Sequence, residues 1–163
     1  MFRTQDVQSH LYHDNNQQII NYLAALAHPP LMIQVSAGII ISDSKILCFQ
    51  KGDAKYLYLS HKWEFPGGKV EYGEDPKDTI IRELSEELKM NIEDQKIEHL
   101  CDTKYHYPDF EVTLHSFLIS IDNPYFTLTE HIATKWCSVE ELKELDWAEA
   151  DKEIVKKLEE YYG

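Results

Sequence analysis

The chain has 163 residues, of which 43% are hydrophobic and 12% aromatic, and this length and composition suit one globular domain with its own core. Sixteen Lys and Arg stand against 29 Asp and Glu, and the net charge of −13 argues against nucleic acid or an anionic membrane as the main partner. Because no stretch approaches transmembrane length and no signal peptide is evident, we expect a cytoplasmic protein without a membrane segment.

Residues 1–30 form an extension in front of the main domain. Residues 1–13 are polar and have no regular period. Further on, four apolar residues recur on one helical stripe: Ile19, Ile20, Leu23 and Leu26. Pro29 and Pro30 would end such a helix. We predict one helix here, packed on the main domain or on a second copy of the chain in a homodimer.

The main domain, residues 31–163, opens with a predicted hairpin of strands over 31–41 and 45–50. Lys51 follows, and then a loop over 52–61 whose bulky side chains we expect to cover the sheet. Residues 63–90, WEFPGGKVEYGEDPKDTIIRELSEELKM, indicate the end of a strand, a glycine loop and a helix.

The helix in this stretch carries Glu83, Glu86 and Glu87 on one face, because residues three and four apart share a helical face. Arg82 can reach Glu86 across one turn. The three carboxylates repel one another, and a divalent cation such as Mg²⁺, which prefers hard oxygen ligands, would relieve that repulsion. The alternative is an ordinary solvated acidic face.

The loop before the helix permits close backbone approach at Gly67 and Gly68. The Gly67 carbonyl could reach a metal, and Lys69 could meet a phosphate as a point charge. Glu74 and Pro76 suit the start of the helix. On a chain of this charge, a polyphosphate would be repelled unless metal ions bridged it.

After the helix we predict strands over 97–107, 110–121 and 131–137 and a short helix with a capping box at Ser138. A final helix covers 148–162. Strands on both sides of a central helix, with a closing helix, predict a mixed sheet between helices. The three cysteines, Cys48, Cys101 and Cys137, show no CxxC spacing, and we expect buried, reduced thiols.

The central stretch resembles the Nudix box, which reads Gly, five residues, Glu, seven residues, then Arg-Glu-apolar-any-Glu-Glu. Seven residues match it: Gly68, Glu74, Arg82, Glu83, Leu84, Glu86 and Glu87. The family usually has Gly where this chain has Lys89, so Asn91 could take the left-handed position at the helix end instead. Segments such as VSAGIII, YHYPDFEVTLHSF, EHIATKW and LDWAEAD extend the likeness over about residues 33–160, to MutT-like nucleoside triphosphate pyrophosphohydrolases.

The resemblance implies an α/β/α sandwich and an enzyme that uses Mg²⁺, or Mn²⁺ as an alternative, to release NMP and pyrophosphate from a nucleoside triphosphate. It implies metal ligation by Glu83, Glu86, Glu87 and the Gly67 carbonyl. Arg82 matches the residue that orients the glutamates. Glu130 matches an acid that joins the metals or activates water, and Lys69 matches a phosphate-side residue.

Three further residues, Lys51, Tyr107 and Asp151, match base-pocket positions in the resemblance. Each has a plainer interpretation: Lys51 as a solvated strand end, Tyr107 as core and Asp151 as an acid at a helix start.

The nucleobase is open between two alternatives. LDWAEAD with YPDFEVTLH is similar to CTP pyrophosphohydrolases, while 8-oxo-dGTP diphosphatases share the frame. An ionised Asp151 could accept from the cytosine N4 amine, or from N1 and N2 of an oxidised guanine. We favour cytosine. A nucleotide-sensing Nudix domain without turnover is disfavoured, because it has no need of the full glutamate set. Which glutamate is the general base stays open.

Overall fold

The computed structural model describes residues 16–24, 26–27 and 29–163. Residues 1–15 of the predicted extension lie outside the described residues. The chain divides into two compact units, Met1–Leu31 and Met32–Gly163. In the first unit, described residues 16–24 and 26–27 are helical, and this helix, α1, confirms the predicted N-terminal helix.

The second unit is built on a sheet of seven strands within the described residues: β1 Leu31–Ser42, β2 Lys45–Lys51, β3 Trp63–Glu64, β4 Gly67–Lys69, β5 Lys96–His106, β6 Phe110–Ser120 and β7 His131–Cys137. The strand order is β3-β2-β1-β6-β5, with β4 beside β1 and β7 beside β2. The predicted hairpin forms, since Ile41 pairs with Ile46. Asp43 and Ser44 form its two-residue turn at positive φ, the geometry that matches strand twist.

Two helices, α2 Pro76–Leu88 and α3 Glu149–Tyr162, cover opposite faces of the sheet. Successive strand side chains point to opposite faces, so neighbours in β1 and β2 enter different cores. Residues packed with α3 include Ile39, Ile46, Cys48, Ile154 and Leu158. Residues packed with α2 include Ile40, Leu47, Phe49, Ile80 and Leu84. The predicted sandwich with a mixed sheet is therefore confirmed. Of the cysteines, Cys48 and Cys137 are buried and Cys101 is half-buried, and all three are free thiols.

The segment after β7 differs from the prediction. The capping box forms, because the Ser138 N–H donates to Glu141 Oε2 at 2.8 Å and the Glu141 N–H donates to Ser138 Oγ at 3.3 Å. However, the helical residues are the 3₁₀ turn Leu142–Glu144 rather than a short α-helix. The Leu142 carbonyl accepts from the Leu145 N–H at 3.2 Å, which closes the 3₁₀ turn, and from the ring nitrogen of the buried Trp147 at 2.6 Å, so a side chain takes the place of the next N–H of a continuing α-helix.

Lys89 ends α2 in a left-handed backbone conformation. Lys89 has φ 55° and ψ 33°, the left-handed conformation, and the N–H groups of Lys89 and Met90 donate to the Leu84 carbonyl. Lys89 therefore adopts the conformation of the usual glycine, and the alternative that placed it at Asn91 is wrong.

Lys89→Gly should be neutral or should raise the free energy of unfolding by up to about 1 kcal/mol, because glycine adopts this conformation without a Cβ penalty. The lost contact from Lys89 Nζ to the Glu86 carbonyl, at 3.2 Å, offsets part of the gain. Urea unfolding measures the change, and Lys89→Ala, which loses the same contact but keeps a Cβ, should be less stable than Lys89→Gly. A large loss of activity at unchanged stability would instead place Lys89 against substrate.

Candidate active site

A cleft of about 700 Å³ opens beside β4. Its apolar wall includes Val35, Val112 and Leu114. The cleft brings together predicted residues from distant parts of the chain: Lys51, Gly67, Lys69, Glu87, Tyr107, Glu130 and Asp151. It therefore joins the predicted metal end and the predicted base end in one cavity of nucleotide size.

The acidic end of the cleft is built around Glu87. Its side chain is buried, with the residue 8% exposed, and its Oε2 accepts from the Gly67 N–H at 3.2 Å. Burial raises the pKa of Glu87 to about 8, and the hydrogen-bonded carboxyl of Glu130 adds to the shift. The alternative of an ordinary solvated face is thus wrong for Glu87. The contact seen at Gly67 is through its N–H, and metal ligation by its carbonyl stays a prediction.

The loop that carries Glu130 is tied to the end of α2. Thr129 Oγ1 donates to the Glu87 carbonyl at 2.6 Å, and the Thr127 N–H donates to the Leu88 carbonyl at 2.9 Å. These are helix-end carbonyls that lack partners within the helix. The left-handed end of α2 therefore holds the Glu130 loop against Glu87.

Arg82 connects the acidic residues of the box. Its Nε and Nη2 donate to the two oxygens of Glu74 at 2.8 and 2.9 Å, and its Nη1 donates to Glu83 at 2.7 Å and to Glu86 at 3.3 Å. The bonds from Arg82 lower the pKa of Glu74 to about 2 and raise the pKa of Arg82 itself. The predicted reach from Arg82 to Glu86 is confirmed. The main partner of Arg82 is Glu74, however, for which the sequence predicts only a role at the start of the helix.

The segment predicted as a glycine loop is the short strand β4, because its backbone pairs with β1, and its two glycines are required by close contacts. A Cβ on Gly68 would lie 2.3 Å from the carboxyl carbon of Glu83, and a Cβ on Gly67 would lie 1.8 Å from the Ser36 carbonyl oxygen. Without side chains at these positions, β4 fits between β1 and α2, and the Glu83 carboxyl lies directly against it.

The base end of the cleft is built around Asp151. This residue lies in the first turn of α3 yet is 7% exposed, and its Oδ1 accepts from the Phe65 N–H at 3.0 Å. Burial raises the pKa of Asp151 to about 8, and the charge of Glu64 adds to the shift. A solvated helix-start acid is therefore excluded at this position.

Tyr107 lies between the cleft and the core, and its binding of a base stays a prediction. Its hydroxyl accepts from the Ala150 N–H at 2.9 Å, and its ring stacks on Tyr58 with centroids 5.3 Å apart. It lines the cleft and also packs against the core of the α3 face. Lys51 lies at the same end, close enough for its charge to act on Asp151.

Comparison with protein families places this arrangement. The family model described as NUDIX domain matches residues 32–158. The chain belongs to the Nudix family. The match covers α2, most of α3 and every residue that lines the cleft, so the motif and the fold lead to the same family.

Relatives of this Nudix protein carry named activities. The CTP pyrophosphohydrolase of Escherichia coli K12 is 36% identical over 133 residues, 74% of this chain and 86% of that protein. The 8-oxo-dGTP diphosphatase of E. coli K12 is 29% identical over 126 residues, 77% of this chain and 95% of that protein. The solution structure of MutT from methicillin-resistant Staphylococcus aureus 252 matches with a TM-score of 0.63 at 38% identity, covering 81% and 98% of the two chains. The chain is therefore a Nudix hydrolase, an enzyme with pyrophosphohydrolase activity.

Nudix hydrolases generally use a divalent metal, and the carboxylates here fit one. Within the described residues, no three His, Cys, Asp or Glu side chains already converge on a metal position. The exposed residue Glu130 nevertheless brings its carboxyl beside the buried carboxyl of Glu87, and burial, together with this neighbouring carboxyl, raises the pKa of Glu87. Oxygen donors of this kind suit Mg²⁺. Glu86, with a side chain 63% exposed and bound to Arg82, does not line the cleft.

Two residues of the cleft were missed by the sequence interpretation. Glu64 and His131 both line it, and His131 Nε2 lies 3.0 Å from Glu64 Oε1. The WEFPGG and EHIATKW segments contain them, but neither residue belongs to the box spacing.

Among the described residues, no helix has the length and apolar character needed to cross a bilayer.

Asp151→Asn should flatten the dependence of stability on pH. The pKa of Asp151 in the folded protein, about 8, lies above its ordinary value of 3.8, so the folded state holds its proton more tightly. That contribution is complete below the ordinary pKa and is lost as pH rises towards 8. In urea unfolding with a chelator, from about pH 5 to about pH 9, wild type should lose more stability than the variant. Glu87 titrates in both proteins, so the difference isolates Asp151, and parallel curves would contradict the shift.

Proposed function

We propose that this Nudix hydrolase is a metal-dependent nucleoside triphosphate pyrophosphohydrolase that acts on CTP, dCTP or modified cytosine nucleotides and releases NMP and pyrophosphate. The observation that carries the proposal is the cleft with Glu87 and Glu130 at one end and Asp151 with Lys51 at the other. A nucleotide also has two chemically distinct ends, an anionic polyphosphate and a base with a hydrogen-bonding edge.

At the phosphate end, Glu87 and Glu130 would hold Mg²⁺ or Mn²⁺, with Glu83 beside them. The ion supplies neutralisation of phosphate charge and a lower pKa for attacking water. Arg82 orients Glu83 through the bond at 2.7 Å, and Lys69 offers an ammonium to the phosphates. Glu87 is a candidate for the general base, because burial and the neighbouring carboxyl of Glu130 raise its pKa to about 8.

At the base end, the protonation of Asp151 decides which edge it complements. With its pKa near 8, Asp151 carries a proton at neutral pH. The Phe65 N–H occupies Oδ1 as an acceptor, so the proton lies on Oδ2. Such a carboxyl can accept from the cytosine N4 amine and donate to N3, whereas an oxidised guanine offers donors at both N1 and N2. An ionised Asp151, by contrast, could accept from the N4 amine but would leave the cytosine N3 without a donor.

The test is a screen of CTP, dCTP, UTP, 8-oxo-dGTP and the other canonical triphosphates, with Mg²⁺ and detection of pyrophosphate. We expect the highest kcat/KM for a cytosine nucleotide. A preference of tenfold or more for 8-oxo-dGTP would establish the purine alternative, which the relative named 8-oxo-dGTP diphosphatase supports. Nucleotide binding without any turnover would establish the sensing domain.

Asp151→Ala should raise KM for CTP more than for UTP, because UTP lacks the N4 amine. The two lost hydrogen bonds of a neutral carboxyl correspond to roughly 1–3 kcal/mol, or about 5- to 150-fold in KM. Asp151→Asn is the matched control: its amide accepts and donates as the protonated carboxyl does, so it should keep most of the cytosine preference. If Asn loses as much as Ala, the ionised carboxylate is the form that reads the base.

A further inference from the structure

The segment from Glu64 to Gly67 connects the two ends of the cleft. The Phe65 N–H donates to Asp151 at 3.0 Å at the base end, and the Gly67 N–H donates to Glu87 at 3.2 Å at the phosphate end. Glu64 lies in this segment and lines the same cleft. Its charge acts on both Asp151 and Glu87. Its carboxylate therefore lies between the base end and the phosphate end.

His131 holds the Glu64 carboxylate in one orientation. The His131 side chain is 3% exposed, its ring packs on Phe49 with centroids 4.9 Å apart, and its Nε2 lies 3.0 Å from Glu64 Oε1. Its Nδ1 is buried and has no hydrogen-bond partner within the described part of the chain. The ring thus makes its polar contact through Nε2, as an N–H that donates to Glu64. Glu64 Oε2 is then available to a ligand in the cleft.

In a nucleotide, the group between base and phosphates is the sugar, and its hydroxyls are hydrogen-bond donors. A carboxylate is an acceptor and complements them, as acidic residues do for ribose in dinucleotide sites. We infer that Glu64 binds the sugar hydroxyls of the nucleotide and that His131 is the residue that positions its carboxylate. This inference rests on the proposed function, because it takes the base to lie at Asp151 and the phosphates at Glu87.

The experiment compares kcat/KM for CTP and 2′,3′-dideoxy-CTP, which lacks both hydroxyls. Wild type should prefer CTP by about 10- to 100-fold, the range of a hydrogen bond to a charged acceptor. Glu64→Ala should reduce this ratio to near one, and Glu64→Gln, which keeps an acceptor, should give an intermediate ratio. Glu98→Ala is the matched control, since Glu98 is an exposed carboxylate paired with Lys96 on β5, outside the cleft. It should keep the wild-type ratio.

An unchanged ratio in Glu64→Ala would overturn the inference. If kcat/KM for each nucleotide is also unchanged, Glu64 does not contact the nucleotide. If kcat/KM falls equally for both nucleotides, Glu64 acts at the phosphate end instead of on the hydroxyls. His131→Leu should lower the ratio, because it removes the donor that holds Glu64. His131→Gln, which retains an N–H donor, should preserve more of the ratio. An unchanged ratio in His131→Leu would contradict the positioning role. The proposed function is tested separately, by the preference of the wild type among nucleobases. If the wild type prefers a purine nucleotide, kcat/KM for that nucleotide is compared with kcat/KM for its dideoxy analogue.

Discussion

Glu87→Gln should lower kcat by about 10²–10³-fold or more at saturating Mg²⁺, while the protein stays folded. Glutamine keeps the shape of the side chain but removes the charge that would hold a cation. Glu87 is buried in the cleft, and its Oε2 accepts from the Gly67 N–H, so its carboxylate is held in place beside Glu130. Pyrophosphate release measures the loss, and Mn²⁺ binding by calorimetry should weaken in parallel.

Glu86→Gln is the matched control for this prediction. From the box spacing alone, Glu86 and Glu87 are equivalent ligands, and both substitutions should be severe. In the structure, Glu86 is exposed and bound to Arg82 at 3.3 Å, so we expect a smaller loss than for Glu87. Near-normal turnover in Glu87→Gln would refute the assignment of Glu87, and equal losses in both variants would show that Glu86 moves into the cleft when metal binds.

Arg82→Lys should lower activity by about 10- to 100-fold, the usual effect of removing a group that orients metal ligands. Lysine keeps the positive charge but cannot reproduce the planar fork that meets both oxygens of Glu74 while reaching Glu83. The variant should also be less stable above the ordinary pKa of Glu74, near 4.5. The pKa of Glu74 in the folded state is about 2, so its stabilising contribution is present above that ordinary value and lost as pH falls towards 2.

A double-mutant cycle separates orientation from simple charge. Because Arg82 and Glu74 act as one unit, Glu74→Gln should reproduce much of the loss, and the double variant should lose little more than either single one. Strictly additive losses in kcat would show that Arg82 and Glu74 act independently. Unfolding curves for all three variants show how far any change in activity follows a loss of folded protein.

Much of this Nudix enzyme could be predicted because the relevant contacts are local. The α2 helix, its acidic face and the reach from Arg82 to Glu86 follow from residues within a few turns of one another. The strands follow from their alternation and turns, and the base-end residues Lys51, Tyr107 and Asp151 were named from the resemblance and do line the cleft.

Other features depend on which elements pack together. Spacing along a helix cannot tell which glutamate is buried, because burial depends on which face of α2 meets β4 and the Glu130 loop. From spacing alone, Glu86 and Glu87 are therefore equally good candidates for metal ligands. The capping box at Ser138 predicts a longer helix, but the chain stops at a 3₁₀ turn, and the ring nitrogen of the buried Trp147 donates to the Leu142 carbonyl at its end. The pairing of Glu64 with His131 joins β3 and β7, which are distant in the chain and meet through β2.

By itself the sequence determined the elements, the two-faced sheet and the family, because periodicity and short motifs encode contacts between near neighbours. The tertiary structure alone decided which carboxylates are buried, and with them the raised pKa values of Glu87 and Asp151. The physical reason is that desolvation and charge coupling act through space, between groups that the order of strands brings together.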